Sequence, residues 1–309
     1  MNATEQHHES TTSDEITRIV LAAQQATPDP RTKTIVTALI RHGHALAREV
    51  RLQPDELFAA AQFLKACGDV SDESRHEFIL LCDVLGLTMV VDTLAAEVPD
   101  GALETSVLGP FYRAGAPVEV NGANISRGGN DGEPAHILGT VRDTAGRPIV
   151  GAELDVWGTN HNGLYENVDP EQPDFNLRGR FYTDADGRYD IWTVKPVSYP
   201  IPDDGPVGDL LRATNRSNMR PGHLHLIASA RGFRTIVTEL YSDDDPYLHT
   251  DAVFGVKPSL VVHYERVDDP DRLGPAARRE PIWELHRDIV LTPGDGSAVT
   301  FTTGRERSS

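Results

Sequence analysis

Through about the first hundred residues, apolar positions recur at helical spacing. Ile16, Ile19, Val20 and Ala23 share one face behind Thr12-x-x-Glu15, a capping box whose side chains satisfy the free N–H groups of a first helical turn. Pro30 precedes Ile35, Val36, Leu39 and Ile40, and Pro54 precedes Leu57, Ala61 and Leu64; proline suits a first helical position because the N–H it lacks would have had no partner. The tract from Phe78 to Leu94 follows Ser71–Ser74 and reads as a helix buried in the core. It is shorter than the roughly twenty residues needed to span a bilayer and contains Asp83 and Asp92.

Beyond Leu108 the pattern changes to short β-branched or aromatic runs between turn residues. Ile137–Val141 and Ile149–Val156 flank Asp143-Thr-Ala-Gly146, while Arg180–Thr183 and Tyr189–Val194 flank Asp184-Ala-Asp-Gly187, as hairpins would. Ile236–Tyr241, Leu260–Tyr264 and Ile289–Leu291 add strands, and 121–134 reads as a connecting loop. The expected fold is α+β: a disordered polar tail over 1–13, a helical region over 14–106 and an antiparallel β-sandwich over 107–309.

Composition narrows the class. A net charge of −18 opposes binding to nucleic acid or an anionic membrane, which calls for clustered Lys and Arg. Cys67 and Cys82 stand alone in apolar surroundings and read as reduced, buried thiols. With no secretory signal in the polar first residues, the expectation is a cytoplasmic, non-membrane protein.

Candidate chemistry concentrates in Arg220-Pro-Gly-His-Leu-His225. Residues two apart on a strand face the same way, so His223 and His225 can serve one metal ion if this stretch is extended. His42 and His44 have the same spacing on a helix, point to different faces and are set aside. Tyr165 and Tyr199 lie upstream in Gly- and Pro-rich segments. Alone, each reads as a packed loop aromatic; together with the histidines they offer two phenolates and two imidazoles, a donor set suited to Fe(III).

The ordered pattern of Tyr165, Tyr199 and Arg220-Pro-x-His223-x-His225 resembles that of the intradiol ring-cleaving dioxygenases, and the resemblance covers residues 15–292. It implies a catechol-type diol and O2 as substrates and one non-haem Fe(III) per subunit held by Tyr165, Tyr199, His223 and His225. It also implies two catalytic roles: Tyr199 takes a substrate proton, and Arg220 stabilises charge developing on the ring. Family architecture further implies a homodimer built on the helical region, with a phospholipid at that interface and iron between sheets and loops.

Three stretches, 77–86, 199–208 and 245–256, resemble the branch that cleaves hydroxyquinol (1,2,4-trihydroxybenzene) to 3-hydroxy-cis,cis-muconate, the enol of maleylacetate. The family match places Leu80, Asp83, Val107, Leu108, Gly109, Pro110, Phe111, Ile201, Pro202, Arg220 and Val253 around the substrate. Asp83, set among leucines, needs a hydrogen-bonding partner if buried, which the third hydroxyl of hydroxyquinol can supply; a helix-surface acid, or one paired with Arg, is the plainer reading. Gly222 stands where relatives often carry Ala, and Glu239 where catechol-cleaving relatives commonly carry Gln. Competing expectations are a catechol or substituted-catechol dioxygenase and a non-catalytic β-sandwich binding module.

Overall fold

The computed structural model describes residues 11–72, 75–95, 101–129, 131–268 and 282–294. Two compact units divide the chain, Met1–Asp69 and Val70–Ser309.

The first unit holds α1 (Ser13–Ala23), α2 (Pro30–Glu49) and α3 (Pro54–Asp69). Thr12 accepts from the Glu15 N–H at 3.2 Å and Asp29 from the Thr32 N–H at 2.6 Å, closing the starts of α1 and α2. Of the expected tail over 1–13, residues 1–10 lie outside the described residues, while Thr12 and Ser13 belong to the first helix and its cap. Ile19, Leu39, Leu46, Leu57 and Phe58 are exposed on a single chain. No single helix among the described residues is long and apolar enough to cross a membrane.

In the second unit the tract expected as one buried helix is two, α4 (Glu77–Val84) and α5 (Leu87–Ala95), bent by 78°. Gly86 adopts φ +70 and its N–H turns back to the Asp83 carbonyl at 2.9 Å, which ends α4. Val84 and Met89 are buried, but Phe78, Ile79, Leu87, Val90, Val91 and Leu94 are exposed, so this is not a core helix. A further helix, α6 (Pro206–Ala213), was not evident in the apolar pattern; it starts on a proline in a Pro- and Gly-rich stretch that resembles a loop.

The strands are β1 (Pro134–Asp143), β2 (Glu153–Trp157), β3 (Arg178–Tyr182), β4 (Arg188–Val194), β5 (Tyr199–Pro200), β6 (Met219–Arg220), β7 (His223–Ser229), β8 (Ile236–Ser242), β9 (Val261–Val262), β10 (Glu265–Val267), β11 (Ile282–His286) and β12 (Ile289–Leu291). One sheet runs β10-β11-β1-β12 with β4 also on β1, the other β3-β2-β7-β8-β9, and β5 pairs β6. The expected sandwich is present, with mixed rather than wholly antiparallel sheets: β11 and β12 join β1 in parallel, and β9 joins β8 in parallel. Both expected turns form, but β1 and β2 lie in opposite sheets, as do β3 and β4. At Asp143–Gly146 the chain makes a short local hairpin, with Arg142 antiparallel to Pro148, and crosses to the other sheet only beyond Ile149, whereas at Asp184–Gly187 the turn leads straight from β3 in one sheet to β4 in the other.

Leu154, Val156, Leu224, Leu226, Ala228 and Leu240 share one core cluster with Ile137, Val141 and Ile191 of the other sheet. Strand alternation sends the intervening residues to the opposite face of the second sheet.

Candidate metal centre

On that opposite face, main-chain register brings distant residues together. His225 stands across from Trp157 on β2 and from Glu239 on β8, and His223 stands across from Tyr241. The β5–β6 pair sets Tyr199 opposite Arg220. Tyr165 enters from the loop between β2 and β3, where Gly163 at φ +79 lets the chain approach Tyr199; a Cβ there would lie 2.9 Å from the Tyr199 Cβ.

The four expected ligands converge. Tyr165 Oη lies 2.9 Å from His225 Nε2 and 3.3 Å from Tyr199 Oη, and the two histidine Nε2 atoms are 3.2 Å apart. Donors bonded at about 2 Å to one ion have neighbouring separations of this size. All four side chains are buried. His223 Nδ1 lies 2.7 Å from the Pro221 carbonyl, a contact that places the proton on Nδ1 and leaves the Nε2 lone pair free.

Burial pushes both imidazoles below their ordinary pKa and both phenols above theirs. Neutral histidines are ready ligands, while two buried phenols need a nearby cation to ionise. The donor set thus fits a hard, highly charged metal ion. Glu239 also offers an oxygen near both histidines. Its oxygens are already engaged, however: Oε1 by Arg220 Nη1 at 2.8 Å, and Oε2 by Ser106 Oγ at 2.7 Å, Arg220 Nη2 at 3.0 Å and the Tyr241 hydroxyl. Burial alone would raise its pKa, but the Arg220 charge and hydrogen bonds prevail and hold it well below the carboxylate range.

Arg220 is buried beside this centre. It also donates from Nε to Asp251 at 3.1 Å and from Nη2 to Tyr241 Oη at 2.9 Å, while Nη1 lies 3.2 Å from His223 Nε2. Its burial penalty is outweighed by Glu239 and Asp251, so it remains charged. Asp251 is held by the N–H groups of Val253 and Gly255.

Several expected pocket residues touch the centre. A Cβ on Gly109 would lie 3.2 Å from His225 Cε1; Phe111 stacks on Tyr165 at 4.6 Å; and Leu108 packs on the Trp157–Tyr165–Tyr199 cluster. Val253 is buried in the Asp251 loop, and Ile201 is buried just beyond β5. Leu80 and Val107 are half-buried, whereas Pro110 and Pro202 are exposed. Asp83 accepts from Thr88 Oγ1 at 2.5 Å across the helix bend, and burial raises its pKa. Gly222 is closely packed: a Cβ there would lie 2.7 Å from the Pro196 carbonyl oxygen.

Ser106, Tyr241 and Asp251 were not singled out from the sequence. Tyr241 carried a usable signal, since with Glu239 it repeats the two-residue spacing of the histidines it faces.

The family model described as "Catechol dioxygenase N terminus" matches residues 29–102, and that described as "Dioxygenase" matches 107–293. A hydroxyquinol 1,2-dioxygenase of Rhizobium sp. (strain MTP-10005) is 45% identical over 274 residues, 88% of this chain and 92% of that protein. One from Rhodococcus opacus is 46% identical over 280 residues, 89% of this chain and 92% of its own. The crystal structure of hydroxyquinol 1,2-dioxygenase from Pseudomonas putida DLL-E4 superposes with a TM-score of 0.86 at 44% identity, covering 91% of this chain and 99% of that one.

Proposed function

Because this chain belongs to the intradiol ring-cleaving dioxygenase family, we propose that it opens the ring of hydroxyquinol with O2, giving 3-hydroxy-cis,cis-muconate. Both oxygen atoms enter the product. The observation that carries this reading is the convergence of Tyr165, Tyr199, His223 and His225 beside a buried Arg220.

These four residues would hold one non-haem Fe(III), which when bound withdraws electron density from a coordinated diol and so activates the substrate ring. Tyr199 takes a substrate hydroxyl proton at its Oη. Tyr165, wedged between Phe111 and His225, stays in place. Arg220 keeps one Nη1 N–H toward His223 Nε2, on the metal side, and offers it to charge developing on the substrate oxygen. Burial of all these groups excludes bulk water. Leu80, Asp83, Val107, Leu108, Gly109, Pro110, Phe111, Ile201, Pro202 and Val253 shape the ring pocket, and Asp83 accepts from the third hydroxyl through the oxygen that Thr88 leaves free.

The helical region, 14–106, supplies a homodimer interface with a phospholipid, and 107–309 is the catalytic sandwich. Exposed apolar side chains on α1–α3 and the two family-model spans support this division. Cys67 and Cys82, the two cysteines of the chain, suit a cytoplasmic setting as thiols in apolar stretches.

The test is oxygen uptake by iron-replete enzyme with hydroxyquinol and catechol in parallel, corrected for autoxidation. Faster enzymatic uptake with hydroxyquinol and stoichiometric maleylacetate is expected. Preference for catechol would discard the pocket assignment, and no uptake with either diol would discard the reaction.

A further inference from the structure

We propose that Arg216 is a positioning residue for substrate selection: it ties the end of α4 to the Val253 loop and so fixes where Asp83 meets the substrate ring. The inference rests on the reading that α4 and this loop wall the ring pocket.

The short helix α6 brings Arg216 there. Its first turn is closed from outside: Gly205, at the cap position, has no side chain, and the buried Glu77 carboxylate at the start of α4 accepts the Val207 N–H at 3.1 Å. Arg75 holds that carboxylate from Nε at 3.0 Å and reaches Asp204 from Nη1 at 3.1 Å, and this packing leaves no room for a Cβ on Gly205. At the other end Asn215 takes φ +51. Its N–H donates to the Arg212 carbonyl at 3.1 Å, and the Arg216 N–H donates to the Leu211 carbonyl at 2.9 Å. This pair of bonds around a left-handed residue is a Schellman motif, with Asn where Gly is commonest. The chain turns sharply out of the helix, and Arg216 emerges half-buried beside the end of α4.

There its guanidinium forms a fork. Nη1 donates to the Val84 carbonyl at 2.5 Å and Nη2 to the Ala252 carbonyl at 3.0 Å. Each acceptor is one residue from an expected pocket residue, Asp83 on α4 and Val253 on the loop. The guanidinium also lies over the Phe254 ring at 4.8 Å, and that ring closes on Gly86, where a Cβ would lie 3.3 Å from Phe254 Cδ2. Phe254 has φ +59, a backbone that a bulky residue keeps only where its surroundings hold it. Glu77 thus pins the start of α4 to α6, and Arg216 pins its end while setting the spacing to the opposite wall. The charges of Arg220 and Asp251 act on Asp83, which puts this wall within reach of the centre. A planar fork with two fixed donors holds such a spacing where a single ammonium does not.

The test is the ratio of kcat/KM for hydroxyquinol to that for catechol, measured on one iron-replete sample so that folded fraction and iron content cancel. Arg216→Met keeps an unbranched stem and removes the fork. The ratio is expected to fall about 10-fold, because only hydroxyquinol has a third hydroxyl for Asp83 to receive. Arg216→Lys, the milder change, keeps the charge without the fork and is expected to lower the ratio too, so the result does not depend on Arg216→Met folding. In metal-free protein, amide exchange over 77–86 and 251–256 is expected to be faster in either variant than in the native chain. An unchanged ratio in both variants, or unchanged exchange across both segments, overturns the proposal. Asp83→Ala separates the levels: a ratio that this change leaves alone discards the pocket reading itself, whereas a ratio that moves with Asp83 and not with Arg216 discards only the positioning role. The double variant is expected to fall no further than Asp83→Ala alone, and additive losses overturn the route through Asp83.

Discussion

The two faces of the sheet β3-β2-β7-β8-β9 come from the same strands and solve opposite problems. The inner face packs Leu154, Val156, Leu224, Leu226, Ala228 and Leu240 into the sandwich core. The outer face carries Trp157, His223, His225, Glu239 and Tyr241, also buried. Apolar side chains need only volume and shape to match, and tolerate near substitutes. The outer face must satisfy every donor and acceptor by geometry, and each member depends on named partners. A single residue step along β7 moves from one regime to the other, so stability and chemistry are written in alternate positions of one strand.

That division is broken most severely at His225. His225→Gln should lower turnover with hydroxyquinol by on the order of a thousand-fold or more and bleach the iron-replete protein, while the metal-free variant still melts cooperatively. Bleaching tracked by visible absorption beside a thermal melt checks both halves; retained turnover would place the chemistry elsewhere. One residue along, Leu226→Ala should cost about 2–5 kcal/mol of stability through lost burial and a cavity. Turnover per folded molecule should hold within about two-fold, because Leu226 faces away from the centre. Denaturant unfolding and active-site titration separate these effects, and a matching fall in turnover would show that the faces are not independent.

The smallest effect sharpens the comparison. Asp155 lies on the outer face two residues before Trp157 and accepts from Tyr112 Oη at 3.1 Å, yet burial raises its pKa to about 6. A carboxyl whose folded pKa is raised stabilises the fold when protonated; that contribution is complete below its unfolded value of about 4 and is lost as pH rises through 6. Asp155→Asn should therefore be more stable than the native chain by on the order of 2 kcal/mol at pH 8, with the difference vanishing towards pH 4. Melting curves across that range check the sign; a constant difference would assign the effect to packing.

Features carried by neighbouring residues were legible in the sequence: the caps at Thr12 and Pro30, the turns at Asp143 and Asp184, and the paired histidines. Features that depend on long-range pairing were not. Turn chemistry says that the chain reverses at Asp143–Gly146, but not whether the next strand returns to the same sheet or crosses to the other. The Phe78–Leu94 tract looked continuous because apolar content does not register that Gly86 takes a left-handed backbone. Resemblance named the four candidate ligands, but Ser106 and Asp251, which close around Glu239 and Arg220, come from far-apart segments and have no local signature; of that shell Tyr241 alone repeats a local spacing.

The parallel pairing of β1 also imposes an order of completion. Four strands of the sheet that bears the candidate metal centre, β2, β3, β7 and β8, are all present once residue 242 has left the ribosome. β1 gains β4 early, but its other edge stays open until β11 and β12 arrive, where Gly139 lies so close to the Arg287 carbonyl that a side chain there would collide with it. During synthesis, the sheet with the candidate metal centre can therefore be nearly whole while the sheet that covers its inner face still presents an unpaired strand edge, a state prone to pair with a neighbouring chain.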